Sequence, residues 1–261
     1  MEDKKVFIVM TAFNRSALTQ NTIDSIAKRR NLHIIVVDDS DKDPYSPEKA
    51  ECDLVLIRNR KWVSPVITYN KGFEYIKNQY QPKDSDILII QNSEAIHVGD
   101  IVQYAIENIT EDNYISFACL SLPKDFCEQK ITKERIDSVS NCHISATIND
   151  EIEVGWYNHE HYYPRALDFC SAITWGNMKK LNGFDERYAK HTWYGDDDFR
   201  NRVKKLGLTT IIGNSEMPFV CHQWHSRAHQ PYGYTEDAMK LYSKTSVEDN
   251  YRAYHVITED L

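Results

Sequence analysis

Apolar positions in the N-terminal third alternate between two patterns. Val6-Phe7-Ile8-Val9-Met10, Ile34-Ile35-Val36-Val37, Asp53-Leu54-Val55-Leu56-Ile57 and Ile87-Leu88-Ile89-Ile90 are short runs rich in β-branched residues. Such runs suit strands buried on both faces. Between them the spacing turns helical. One helix is predicted from Ser16, an N-cap candidate, to Arg30, and another over Val66 to Gln79; Val98, Ile101, Val102, Ala105, Ile106 and Ile109 mark a third, strongly amphipathic one. Strands alternating with helices predict an α/β fold whose mostly parallel sheet is covered on both faces. Ligands of such sheets bind beyond the carboxyl ends of the strands. Four stretches lie there: Thr11 to Arg15, Asp38 to Ser40, Arg58 to Asn70, and Gln91 to Glu94.

The later part of the chain is less regular. Pro123 to Arg165 is rich in charge and His with weak periodicity, and reads as irregular connections and short strands. Phe199, Val203 and Leu206, at spacings of four and three, mark a helix that Gly207 stops. From about Pro231 a helical tail is expected, with Ala238, Met239 and Tyr242 on one face. No repeat, low-complexity tract or linker divides the chain, so residues 1–261 read as one domain.

Composition narrows the classes. At 261 residues and 41% hydrophobic, the chain can bury a full α/β core. A net charge of −8 and a pI near 5.7 exclude a general nucleic-acid binder. Lys28-Arg29-Arg30 and Lys204-Lys205 fall at predicted helix ends, where cations offset the dipole. No apolar run approaches the ~20 residues that span a bilayer. The run Val6 to Met10 is too short for a signal-peptide core. The expected location is the cytoplasm, with peripheral attachment to a membrane left open. Six cysteines without a Cys-x-x-Cys pair point to reduced thiols rather than a zinc ribbon.

The densest chemistry is Trp193-Tyr194-Gly195-Asp196-Asp197-Asp198, preceded by Asn182-Gly183-Phe184 and followed by Asn201-Arg202. An acidic first turn complements a helix dipole, but three carboxylates beside two aromatics suggest a general base next to a sugar-stacking surface. These residues resemble the sugar-nucleotide glycosyltransferases of GT-A fold, in particular the β-1,4-galactosyltransferases. Thr11-Ala12-Phe13-Asn14-Arg15 and Val36-Val37-Asp38-Asp39-Ser40, one helix apart, resemble the loops of family 2 glycosyltransferases that hold the base and ribose. Tyr69-Asn70-Lys71-Gly72, after Trp62-Val63-Ser64-Pro65, resembles that family's third element; Tyr69 is equally a core residue.

The resemblance implies an inverting transferase moving a sugar from a nucleotide-diphosphate donor, UDP-linked, to a hydroxyl of a glycan or other acceptor. Residues 1–110 would bind the nucleotide, 111–230 would hold the acceptor and catalytic groups, and 231–261 would form the tail. Thr11, Ala12, Phe13, Asn14, Arg15, Asp38, Asp39, Asn70 and Asn92 would contact the nucleotide. Asp197 would be the base, Asp196 would orient the acceptor, Asp198 would be structural, and Trp193, Tyr194 and Gly195 would meet the sugar. Gln91-Asn92-Ser93-Glu94 stands where these enzymes carry Asp-x-Asp and departs from it, with one negative charge instead of two. Glu94, with His222 or His225 of Cys221-His222-Gln223-Trp224-His225-Ser226-Arg227, would hold Mn2+ or Mg2+. That weakened motif leaves a second reading, a binder of sugar nucleotide or glycan without turnover. A nucleotidyltransferase would want a Gly-rich loop after the first strand, and no Gly precedes Gly72.

Overall fold

A computed structural model describes residues 4–47, 52–58, 60–127, 131–140, 155–191, 193–226 and 236–256. The strands are β1 (Val6–Ala12), β2 (Leu32–Asp38), β3 (Asp53–Leu56), β4 (Ile87–Asn92), β5 (Ala95–Val98), β6 (Asn113–Ser116), β7 (Cys119–Ser121), β8 (Gly155–Asn158), β9 (Cys170–Thr174), β10 (Thr209–Ile212) and β11 (Phe219–His222). The helices are α1 (Ser16–Ser25), α2 (Val66–Tyr80), α3 (Ile101–Asn108), α4 (Lys124–Cys127), α5 (Lys133–Ser140), α6 (Trp175–Leu181), α7 (Gly195–Lys205) and α8 (Glu236–Thr245).

Seven strands form the central sheet in the order β10-β6-β9-β4-β1-β2-β3. β1 runs parallel to both β2 and β4, β2 to β3, and β6 to β10, while β9 is antiparallel to its neighbours β4 and β6. Strands from both halves of the chain therefore share one sheet, and it is mostly parallel as expected. Side chains alternate across it. Val6, Ile8 and Met10 face one core with Ile23 of α1 and Ile101, Val102 and Ala105 of α3. Phe7 and Val9 face the other, with Ile67, Phe73 and Ile76 of α2, Leu181 of α6, and Phe199 and Val203 of α7. Gly72 lets α2 lie close, since a Cβ there would stand 2.5 Å from Val9 Cγ1.

A second sheet, β5-β11-β7-β8, closes over a smaller core built around Trp156, Phe219 and Leu120. Its antiparallel pairing of β11 with β5 sets His222 opposite Ala95.

Several expected boundaries move. The first helix ends at Ser25 rather than Arg30, because Ile26 turns to extended backbone and the basic run becomes the link to β2. Its cations still serve that helix end and its neighbour: Lys28 Nζ donates to the Ile23 carbonyl at 3.0 Å, and Arg29 pairs with Asp100. Arg15, not Ser16, occupies the N-cap position, and the Ser16 amide donates to Asp43 at 2.9 Å. Val98 ends β5 instead of opening a helix; α3 begins at Ile101, with the Asp100 side chain accepting from the Gln103 amide at 2.9 Å. The region from Pro123 to Arg165 includes the short helices α4 and α5 beside β8, and residues 141–154 of it lie outside the described residues. In the tail, Ala238 is buried but Met239 is 48% exposed, so the packed face runs through Ala238, Leu241, Tyr242 and Thr245. The first residues of the expected tail, 231–235, and Arg227 lie outside the described residues.

Candidate active site

Parallel pairing brings the carboxyl ends of the central strands to one edge. Ala12 is in register with Asp38, and Thr11 with Asn92. The antiparallel β9 reaches the same edge from the other direction: the Asn92 amide donates to the Phe169 carbonyl at 3.0 Å. Four of the expected stretches therefore converge there, together with residues just before β9.

The turn after β4 carries Glu94, which is buried. Its Oε1 lies 2.5 Å from Arg15 Nη1, 3.3 Å from His222 Nε2 and 3.6 Å from His225 Nε2. The register of β5 and β11 explains this meeting, reinforced by the Gln223 amide donating to the Glu94 carbonyl at 2.9 Å. Burial would raise the Glu94 pKa, but Arg15 and the two imidazoles outweigh it and hold the carboxyl well below its ordinary range. His222 goes the other way: burial keeps its pKa below the usual imidazole value despite Glu94, so the ring is neutral near pH 7. Tyr157 and Phe169 stand edge-on to that ring and fix its plane. The candidate ligand atoms of Glu94, His222 and His225 lie within 4.8 Å of one another. One ionised carboxylate and two imidazoles form a donor set that suits a borderline divalent ion such as Mn2+.

Gln91 contributes nothing to that set. Its Nε2 donates to the Ala95 carbonyl at 2.6 Å and its Oε1 meets His97 Nε2 at 2.7 Å, so it braces the turn from inside. Asn92, half-buried at the end of β4, accepts from the Tyr69 hydroxyl at 3.1 Å.

The expected nucleotide residues divide by what their side chains already hold. Asn14, at φ 55°, accepts three backbone amides, from Asp41, Lys42 and Asp43, and binds the loop after β2 to the loop after β1. Asp38 is filled by the amides of Ser40 and Tyr45 at 2.8 and 2.7 Å. Asn70 ties α2 to the turn at Gly183-Phe184, accepting from the Phe184 amide at 2.8 Å and donating to the Phe184 carbonyl at 2.9 Å. These three brace the loops around the strand ends. Thr11 and Ala12 end β1 and Phe13 follows, and there the Ala12 carbonyl accepts the Asp39 amide at 3.1 Å. Asp39 accepts from Thr68 Oγ1 at 2.7 Å and Arg60 Nη1 at 2.8 Å, and the same guanidinium lies 4.0 Å over the Phe13 ring. Arg60 was legible only as a member of a nominated stretch; its role as the link between Phe13 and Asp39 comes from the fold.

The acidic triplet opens α7 as expected, and its members have different neighbours. Asp198 is buried against Arg202, 2.7 Å from Nε, whose guanidinium also bonds the Leu181 and Gly183 carbonyls at 3.2 and 3.0 Å. Asp197 is held by Arg200 at 2.9 Å, with Arg165 at 3.8 Å. Asp196 keeps an exposed surface, yet crowding by protein first and the Asp197 charge second push its pKa up to about 6. Its carboxyl is coupled to that of Asp168, a buried residue two positions before β9 that belongs to none of the sequence motifs. Burial first and Asp196 second drive the Asp168 pKa well upward, so Asp168 holds the pair's proton. The only hint in the chain was an acid set against an apolar strand.

The aromatics before the triplet differ from expectation in one respect. Tyr194, at φ 74°, stacks on Tyr242 of α8 with ring centroids 5.0 Å apart, so one face of that ring is already covered by the tail. Trp193 is half-buried, and Gly195 packs near Val66, where a Cβ would lie 3.0 Å from Cγ1.

The model of the family described as Glycosyl transferase family 2 matches residues 7–163. No curated protein matches by sequence. Among solved structures, the mannosyltransferase PcManGT from Pyrobaculum calidifontis, in complex with GDP-Man and Mn2+, is similar with a TM-score of 0.51 at 12% identity, over 86% of this chain and 58% of that one. S. aureus TarS is similar with a TM-score of 0.50 at 10% identity, over 84% of this chain and 37% of that one. The chain thus spans less than two thirds of the length of either structure.

Proposed function

Because the chain belongs to glycosyl transferase family 2, we propose that it is an inverting glycosyltransferase. In this reading it moves a sugar from a nucleotide-diphosphate donor, taken as UDP-linked, to an acceptor hydroxyl. The observation that carries it is the meeting, at one sheet edge, of a Glu94–His222–His225 cluster with an acidic helix start. Thr11, Ala12 and Phe13 with Asp39 and Arg60 would receive the base and ribose. Glu94, His222 and His225 would hold Mn2+ or Mg2+, which when bound neutralises charge on the leaving diphosphate.

Geometry favours Asp196 over Asp197 as the base. Asp197 is engaged by two guanidinium groups. Asp196 is exposed, carries a pKa near neutrality, and has Asp168 to donate to it. A base is most effective when its pKa lies near working pH. Asp196 would take the acceptor's proton as that oxygen attacks the anomeric carbon. The bond from that carbon to the diphosphate oxygen would break, the nucleoside diphosphate would leave, and configuration would invert. Trp193 and Tyr194 would pack against sugar.

The amides at Gln91 and Asn92, with Arg15 seated on Glu94, favour a second reading, a domain that binds the donor without transferring it. A melting screen over UDP-, GDP-, dTDP- and CMP-sugars with Mn2+, followed by donor hydrolysis and transfer assays, separates the two. No shift with any nucleotide would sink both; a shift without turnover would favour the binder; a response to GDP alone would correct the base.

A further inference from the structure

We propose that Arg15 is a built-in counter-ion. Its guanidinium occupies the cation seat of Glu94, His222 and His225 while no metal is bound and leaves for the anionic donor when one arrives, which makes metal and donor bind cooperatively. The inference rests on the reading of those three residues as metal ligands.

A single oxygen, Glu94 Oε1, stands at the focus of three nitrogens: Arg15 Nη1 at 2.5 Å, His222 Nε2 at 3.3 Å and His225 Nε2 at 3.6 Å. A divalent ion bound by that oxygen and the two imidazoles would sit against the guanidinium, and two cations do not share one carboxylate oxygen at contact distance. Charge sharpens the conflict. The seat has one carboxylate, because Gln91 is turned inward and Asn92 is neutral. With Arg15 in place, Glu94 is already neutralised, so an incoming ion meets no net attraction. A diphosphate supplies the missing negative charge, and arginine binds such oxygens well.

The side chain is also free to make the move. Among the described residues its guanidinium pairs with Glu94 alone, and 18% of the side chain is accessible. Its backbone is fixed, since the Arg15 carbonyl accepts both the amide and the hydroxyl of Thr19 at 2.9 Å. Release is therefore a change of rotamer rather than of loop. Arg15 ends at the amino end of α1, whose dipole favours an anion beside it.

The test is Mn2+ binding to the full chain, followed by electron paramagnetic resonance of the free ion, with and without a fixed concentration of UDP or GDP. Wild type should bind Mn2+ weakly alone and at least about tenfold more tightly with nucleotide, within the usual range of coupling. Arg15→Gln should bind Mn2+ alone about tenfold more tightly than wild type and show a smaller gain from nucleotide. Arg15→Lys, which keeps the charge, should bind it weakly like wild type, and circular dichroism checks the fold of each. If Arg15→Gln binds Mn2+ no more tightly than wild type, or keeps the full nucleotide gain, the counter-ion role is wrong. Glu94→Gln and His225→Ala separate this from the metal reading. If they bind Mn2+ like wild type in the presence of nucleotide, the ligand assignment itself falls; if they lose it while Arg15→Gln tracks wild type, only the counter-ion role does.

Discussion

Two adjacent carboxylates at the start of α7 differ because their neighbours do. Arg200 and Arg165 compensate Asp197, while Asp196 is exposed and couples to Asp168, whose pKa burial drives well upward. Asp196→Asn should therefore retain fold and donor binding but lose transfer by about 10²–10⁴-fold, the range of general-base contributions. Asp197→Asn should lose much less. Transfer rates of both at saturating donor decide, and a dead Asp197→Asn beside an active Asp196→Asn would restore Asp197 as the base. The pH profile belongs at this scale too. Since the base must be ionised and its pKa is about 6, kcat/KM should fall as pH drops through about 6. Asp168→Asn replaces a protonated acid by an isosteric donor, so it should keep activity. Its stability effect has a definite sign. A carboxyl whose folded-state pKa is raised stabilises the fold below its unfolded pKa of about 3.9 and loses that contribution as pH rises toward the folded value. The melting temperature of Asp168→Asn should then gain on wild type between pH 5 and pH 8. A constant difference would mean that Asp168 is not protonated in the fold.

At the scale of elements, the Asn182-Gly183-Phe184 turn and α7 form one mechanical unit. Asn182 and Gly183 both take positive φ, 62° and 74°, and Asn70, Arg202 and Asp198 lock the turn to α2 and α7. A Cβ at Gly183 would stand 2.4 Å from Asn70 Oδ1. Gly183→Ala should therefore destabilise by about 1–3 kcal/mol from backbone strain, with more from the displaced Asn70. Chemical denaturation measures it, and a midpoint equal to wild type would show that the turn relaxes freely. The tail contributes by a different contact. Stacking of Tyr242 on Tyr194 holds the residue at the N-cap of α7, so Tyr242→Ala should lower transfer more than donor binding. Equal losses in kcat and donor affinity would point to general loosening instead.

At the scale of the molecule, ligand and fold are linked. A nucleotide at about 100 times its dissociation constant should add about 2.7 kcal/mol to stability, and EDTA should remove both that gain's metal-dependent part and turnover. Full transfer in EDTA would mean that Arg15 and the two imidazoles suffice for the leaving diphosphate. No described helix is long and apolar enough to cross a membrane.

The sheet itself was legible from the chain, because parallel strands buried on both faces must be continuous apolar runs, and β1, β2 and β4 carry such runs; β3, at the sheet edge, is only half-buried and ends in an exposed Leu56. The acidic start of α7 and the cluster of Glu94 with His222 and His225 were legible as well, since motif residues at strand ends have few places to go. Local pattern could not say which polar side chains are consumed by the frame. Asn14, Asp38 and Asn70 resemble ligand contacts in sequence, but each also holds backbone: Asn14 the amides of the loop after β2, Asp38 the nearby Ser40 and Tyr45 amides, and Asn70 the Phe184 amide and carbonyl. The choice between Asp196 and Asp197 turns on Arg165 and Asp168, which lie some thirty residues earlier in the chain. Arg15 likewise gains its role from Glu94, 79 positions away. Charge and burial at a site are sums over neighbours in space. The chain therefore determined where strands end and which chemistry gathers there, and the tertiary structure decided which of those groups remains free to react.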